Sequence, residues 1–204
     1  MTIDLWAARL ERPLTEQEME RLLPLLPAER RERLRRLRRK EWRREPLCAY
    51  ALLQLALRER YGWQTLPEVE ITEGGKPWFP RHPEVHFSIS HTDGAVLAGI
   101  GETPIGVDVE KVRPVSPRTM NQVAGAATEM EFFQTWVRRE ARTKRSGAGV
   151  APMLRKEPLM EPGEHYREAA LFPGYSAGVS VCGDAPEIKV RVCSMEELLA
   201  SVGE

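Results

Sequence analysis

Asp108 and Glu110 stand two residues apart in Ile105-Gly-Val-Asp-Val-Glu110. The apolar Ile105, Val107 and Val109 alternate with Gly106, Asp108 and Glu110, which predicts a strand. Residues two apart in a strand share a face, about 6–7 Å apart along it. The apolar set then enters a core and the two carboxylates project together from the other face. Asp is depleted in strands, and like charges crowded on one face repel. The chain has four Asp in all, so one in a strand calls for a reason. A hard divalent cation supplies one, since Mg²⁺ is commonly held by one or two carboxylates plus phosphate oxygens. A solvated strand end with idle carboxylates accounts for the same six residues, and both readings stay open.

Three other places carry groups suited to phosphate or proton chemistry. Trp136, Glu140 and Lys144 fall on one line of a predicted helix at i, i+4 and i+8. Glu140 and Lys144 are either an ordinary intrahelical ion pair or a third acid and a cation added to the Asp108–Glu110 pair. Nine of the 24 Arg lie between Arg30 and Arg44, interleaved with Glu29, Glu32 and Glu41. That run is a solvated helix face or a grip for phosphate, onto which guanidinium donors fork. Its apolar stripe of Leu34, Leu37 and Trp42 is too thin for a membrane-surface helix. Lys76 follows two glycines in Glu73-Gly-Gly-Lys-Pro77, a hairpin turn or a close approach to a ligand. His91 ends Val85–Ser90, whose His86, Ser88 and Ser90 share one face, and a lone His there is more often structural than functional.

The elements that must position these groups read as follows. Ile3–Leu10 is a first strand, and Glu16–Leu26 a short acidic helix broken by Pro24 and Pro27. Ala28–Glu45 reads as a continuous helix, and Leu47–Tyr61 as a second, apolar nearly all round, that Gly62 ends. Strands are predicted at Val69–Ile71, Val85–Ser90, Ala95–Ile100 and through Ile105–Glu110, with His91–Gly94 as a turn. Val112–Thr128 reads as loop or poorly formed helix, Glu129–Arg145 as a helix with Phe132, Phe133 and Trp136 on its buried face. Ala151–Gly163 reads as a Pro-rich loop, followed by strands at Arg167–Phe172, Ser176–Cys182 and Glu187–Cys193. Ser194-Met-Glu-Glu197 is a capping box that opens a short helix.

At 204 residues there is room for one large domain or two small halves. Formal net charge is zero, so no global field argues for nucleic acid or a membrane surface. Three widely spaced Cys make neither a disulfide framework nor a zinc pattern, which points to a reducing compartment. No apolar run approaches the ~20 residues of a membrane span, and no signal peptide is recognised, so a cytoplasmic protein is expected.

Gly75-Lys76-Pro77, Phe87-Ser-Ile-Ser-His91, Ile105–Glu110 and Trp136-Val-Arg-Arg-Glu-Ala-Arg-Thr-Lys144 occur in that order. In this order and spacing the chain resembles the 4′-phosphopantetheinyl transferases, in the larger, surfactin-type branch. Pro173-Gly174-Tyr175 extends the resemblance into the second half. It implies an α+β fold of two similar halves in one chain, 1–103 and 104–204. Each half would pack a long helix on a small antiparallel sheet, related by a pseudo-twofold. It implies transfer of the phosphopantetheine arm of coenzyme A, the co-substrate, to a serine of an acyl or peptidyl carrier protein. The serine attacks the β-phosphate and 3′,5′-ADP leaves. By resemblance, Asp108, Glu110 and Glu140 hold Mg²⁺, and Glu140 also assists deprotonation of the serine, directly or through water. Lys144 contacts phosphate; Lys76, Ser90 and His91 contact the coenzyme; Arg30 and Arg33 grip its 3′-phosphate. A monomer that binds neither nucleic acid nor membrane is expected.

The chain departs from the family pattern at Arg139, where Lys is usual, at Glu45 and Pro46, and at Gly74, where a larger residue stands. Val123–Glu131 is short and lacks the aromatic-Ser/Thr-x-x-Glu signature. Two alternatives follow: a non-catalytic relative that binds carrier or coenzyme, and a nucleic-acid-binding protein that uses Arg30–Arg44.

Overall fold

The computed structural model describes residues 2–149, 157 and 159–202. Strand β1 (Thr2–Arg9) runs through the middle of a four-stranded sheet ordered β4-β5-β1-β9. Its partners are β4 (His86–Thr92), β5 (Ala95–Gly101) and β9 (Glu187–Cys193). β5 pairs with β1 and β4 antiparallel, while β9 joins β1 in parallel, Thr2 facing Glu187. A second sheet, ordered β6-β8-β7, is antiparallel throughout: β6 (Ile105–Lys111), β7 (Glu164–Glu168) and β8 (Tyr175–Cys182). A small hairpin, β2 (Glu70–Ile71) with β3 (Pro77–Trp78), stands apart from both. The architecture is mixed α+β.

The helices follow from capping and burial. α1 (Glu16–Leu22) opens with a capping box in which the Thr15 side chain accepts from the Glu18 amide and Glu18 reaches back to Thr15. It ends earlier than the sequence suggests, because Pro24 turns the chain into one 3₁₀ turn at Leu23–Leu25. α3 (Arg44–Tyr61) buries every residue from Leu47 to Leu57. It lies on β5, β4 and β1 and is covered from outside by α1 and α6 (Met195–Ala200), which is why it is apolar on all sides. α5 (Glu129–Ser146) lies on β6 and β8. A separate core of Ile3, Leu5, Leu97, Ile105, Val107, Val109 and Val179 fills the space between the two sheets.

Several sequence expectations need correction. Ala28–Glu45 is not one helix: α2 (Ala28–Arg35) stops at Arg35, and only a 3₁₀ turn, Lys40–Arg43, precedes α3. Leu34 is the one buried residue of α2, so nothing apolar anchors further turns. The Arg43 guanidinium donates to the Arg35 and Leu37 carbonyls, both at 2.9 Å, supplying bonds a continuing helix would have made. Within 112–128 there is a true helix, α4 (Pro117–Ala124), with Ser116 as N-cap, proline in its first turn and Gly125 (φ 62°) ending it. Thr128 and Glu131 do form a Ser/Thr-x-x-Glu capping box at the start of α5, so only the aromatic of that signature is missing. β7 lies at Glu164–Glu168 rather than Arg167–Phe172, because Phe172–Tyr175 forms the turn into β8. His91 sits inside β4, paired with Val96, and the turn shrinks to Asp93-Gly94. Most of the loop expected at Ala151–Gly163, residues 151–156 and 158, lies outside the described residues. Among the described residues no helix is long and apolar enough to cross a membrane.

Candidate functional site

β6 behaves as its alternation demands. Ile105, Val107 and Val109 are buried between the sheets, and Asp108 and Glu110 face the other way. Asp108 is not at a solvated end, being only 3% exposed. A carboxylate there needs partners. Its Oδ1 accepts from Ser90 Oγ at 2.6 Å and from Lys144 Nζ at 2.7 Å. Its Oδ2 is buried without a hydrogen-bond partner. Glu110 Oε2 accepts from Thr92 Oγ1 at 3.1 Å and from Arg113 at 2.8 Å.

The neighbour on this side is β4, whose alternate hydroxyls do the work of a pairing strand. Ser88, Ser90 and Thr92 accept from the amides of Val107, Val109 and Lys111, at 3.0, 3.3 and 3.4 Å. The period of two on β4 matches the period of two at which β6 presents free amides. Ser90 Oγ therefore accepts from Val109 and from Lys144 (2.9 Å) while donating to Asp108. Sequence reading took Ser90 but passed over Ser88 and Thr92; the signal was the Ser-x-Ser-x-Thr alternation on one strand face.

α5 supplies the opposing groups. Val137 and Ala141 are buried against the sheet, which turns Glu140 and Lys144, one turn apart, toward Asp108. The two elements approach closely because residue 106 is glycine. A Cβ there would overlap the Ala141 carbonyl oxygen and the Arg145 amide and lie 2.9 Å from the Lys144 carbonyl carbon. The half-buried Glu140 carboxyl is pushed up from its ordinary value, first by burial and then by the Asp108 charge, with Glu110 adding; Lys144 opposes them. Glu140 thus shares one electrostatic field with both acids of β6. Among the described residues no three His, Cys, Asp or Glu side chains converge into a ready-closed metal cage. The donor set nevertheless suits a hard cation: carboxylate oxygens only, one of them buried and unpartnered, beside a carboxyl that two like charges disfavour as an anion.

Beside this cluster lies an open groove of about 610 Å³, lined in part by Lys40, Trp42, Arg44, Pro46 and His91. His91 touches solvent in the groove yet is flanked by protein, and its imidazole is pushed down by that burial and next by Lys144. Arg30 acts on it in the same direction, so α2 and His91 face one region. Arg33 is exposed on α2. Glu45 is neutralised by Arg44, whose Nη2 lies 2.6 Å from its Oε1. Lys76 sits elsewhere: its ammonium donates to the carbonyls of Arg145 (2.7 Å) and Ile105 (3.2 Å). Burial and the neighbouring Arg145 push it down to about 8.

No protein-family model matches the chain. Among curated proteins, a 4′-phosphopantetheinyl transferase of Bacillus subtilis is 28% identical over 160 residues, 72% of this chain and 71% of the relative. Two more align over 222 residues, 93% of this chain and 97% of each relative. The 4′-phosphopantetheinyl transferase ffp of Bacillus subtilis is 27% identical, and 4′-phosphopantetheinyl transferase Sfp of Bacillus subtilis (strain 168) is 26% identical. Over most of its length the chain is thus similar to 4′-phosphopantetheinyl transferases, a class of transferase enzymes. The two nearly full-length matches make that similarity one to the Sfp-type, or surfactin-type, branch.

Proposed function

We propose that this protein transfers the 4′-phosphopantetheine arm of coenzyme A to a serine of an acyl or peptidyl carrier protein, with Mg²⁺ and release of 3′,5′-ADP. The single observation that carries the reading is Lys144 set against Asp108, with Glu140 in the same field. Phosphoryl-type transfer rests on positioning and charge neutralisation, and this cluster offers both signs of charge at one place. Asp108, Glu110 and Glu140 would hold the metal, which when bound would clamp and neutralise the pyrophosphate. Glu140, the carboxyl displaced toward higher pKa, takes the proton from the carrier serine, whose oxygen bonds to the β-phosphorus as the bond to 3′,5′-ADP breaks. Lys144 neutralises phosphate charge from within hydrogen-bond reach of Ser90, and Ser90 and His91 line the coenzyme's path. Arg30 and Arg33 on α2 meet its 3′-phosphate.

α3 lying on one sheet and α5 on the other supports two halves related by a pseudo-twofold and dividing near residue 103. β9 and α6 return to the first sheet. The reading takes the protein as a cytoplasmic monomer. The test incubates the pure protein with coenzyme A, Mg²⁺ and each of several apo carrier proteins, then weighs the carrier. A gain of one phosphopantetheine arm, lost in Asp108→Ala and Glu140→Ala, is expected. An unchanged mass across fatty-acid, polyketide and peptide carriers overturns transfer and leaves a coenzyme- or carrier-binding relative.

A further inference from the structure

The turn between β2 and β3 is closed on itself. The Thr72 amide donates to the Lys76 carbonyl (2.9 Å), Gly75 donates to the Thr72 carbonyl (2.8 Å), and the Lys76 amide donates to Thr72 Oγ1 (3.1 Å). This rigid turn is set against the end of α5. A Cβ at Gly74 would fall on the Gly147 carbonyl oxygen and lie 3.2 Å from its carbon, so a larger residue at 74 could not sit there. From the turn, the Lys76 side chain passes Gly147 and places its ammonium between two carbonyls. One, of Arg145, belongs to the last turn of α5, where carbonyls lack intrahelical donors and the helix dipole is negative. The other, of Ile105, opens β6. These are the elements that carry Glu140 with Lys144 and Asp108 with Glu110.

We propose that Lys76 is a positioning residue: with Gly74 it latches the end of α5 to the start of β6 and so holds Glu140 and Lys144 at their distance from Asp108. This rests on the transfer reading above for its kinetic consequence, though not for its structural one. The latch acts one residue from Lys144 in sequence, where a shift of the helix end moves the ammonium directly. Two of the three ammonium protons go to carbonyls, so Lys76 serves the coenzyme through α5 rather than by contact.

The test uses the full chain as wild type, Lys76→Met, Lys76→Arg and Gly74→Ala. Amide hydrogen exchange follows residues 143–147, calorimetry gives the affinity for coenzyme A, and the carrier mass shift gives kcat and KM. Lys76→Met is expected to speed exchange in that last turn about tenfold and to lower kcat about tenfold, with coenzyme affinity within about twofold. Lys76→Arg, which keeps the donors, is expected to restore most of kcat. Gly74→Ala, which keeps the charge, is expected to repeat the Lys76→Met result, and it decides the matter if Lys76→Met fails to fold. Coenzyme affinity falling about tenfold in Lys76→Met with kcat unchanged would make Lys76 a direct contact and overturn the latch. Unchanged exchange at 143–147 overturns it too. If the wild type modifies no carrier, the transfer reading fails by itself, and exchange alone decides the latch.

Discussion

Gly106→Ala tests the spacing between α5 and β6 with a single methyl group. The added carbon would overlap the Ala141 carbonyl oxygen and the Arg145 amide and sit 2.9 Å from the Lys144 carbonyl carbon. Carbon contacts are comfortable at about 3.5–4 Å, so the helix must back away by at least about 1 Å. All three obstructing atoms are backbone, and none can rotate aside. Lys144 Nζ now lies 2.7 Å from Asp108 Oδ1; about 1 Å more takes that pair past hydrogen-bond range. Displacement of this size in catalytic machinery costs up to about 10²-fold in rate. Overpacking costs about 1–3 kcal/mol, a fall in Tm of about 3–10 °C for a chain of this length. The assay pairs initial rates of carrier modification with thermal melting. Gly62→Ala is the control: Gly62 has a positive φ of 73° and open space around its Cα, so alanine strains the backbone there without touching α5. The control is expected to melt slightly lower and to transfer at the wild-type rate. A Gly106→Ala enzyme that transfers as fast as Gly62→Ala would refute the spacing argument, whatever its Tm.

Three further outcomes are expected. Burial pushes Cys48 up to about 12 and Cys193 up to about 11, so alkylation of the native protein at about pH 8 should label Cys182 alone, as read by peptide mass spectrometry. Glu18 is held down to about 2, against 4.5 unperturbed, chiefly by the Arg12 guanidinium. Because the folded value is the lower, its stabilisation is complete above 4.5 and is lost as pH falls toward 2. Melting curves of wild type and Glu18→Gln should differ by about 1 kcal/mol at neutral pH, after allowance for solvent screening, and converge through that acid window. The Glu164 carboxylate, fully buried and bridged to Arg142 at 2.7 Å, should cost about 3–5 kcal/mol when replaced by Gln; a melting point within about 2 °C of wild type would contradict that.

What could be read in advance divides by range. The β6 alternation and the Trp136–Glu140–Lys144 line are local periodicities, and local periodicity survives folding whenever one face has a core to enter. The break after Arg35 was hidden because an arginine-rich run satisfies helical spacing at every step. What stops the helix is a tertiary fact, the lack of anything apolar beyond Leu34 and the capture of two carbonyls by Arg43. α4 had its cues in Ser116-Pro117 and Gly125, outweighed in the sequence by a run of small residues. The site divides in the same way. Spacing brought Asp108, Glu110 and Glu140 forward as candidates without choosing between idle and metal-holding carboxylates, whereas the hydroxyl ladder of β4 and the engagement of Lys76 with two carbonyls depend on which strand and helix end arrive alongside.

The parallel pairing of β1 with β9 has a consequence for biosynthesis. Thr2 waits for Glu187, so 185 residues must be made before the far side of β1 meets its neighbour. At about 5–20 residues per second, a ribosome leaves that strand with at least one open edge for about 10–40 s. Through that interval the nascent chain carries a free row of amides and carbonyls beside Trp6 and Leu5, a surface on which a holding chaperone could rest and where two unfinished copies on one messenger could meet.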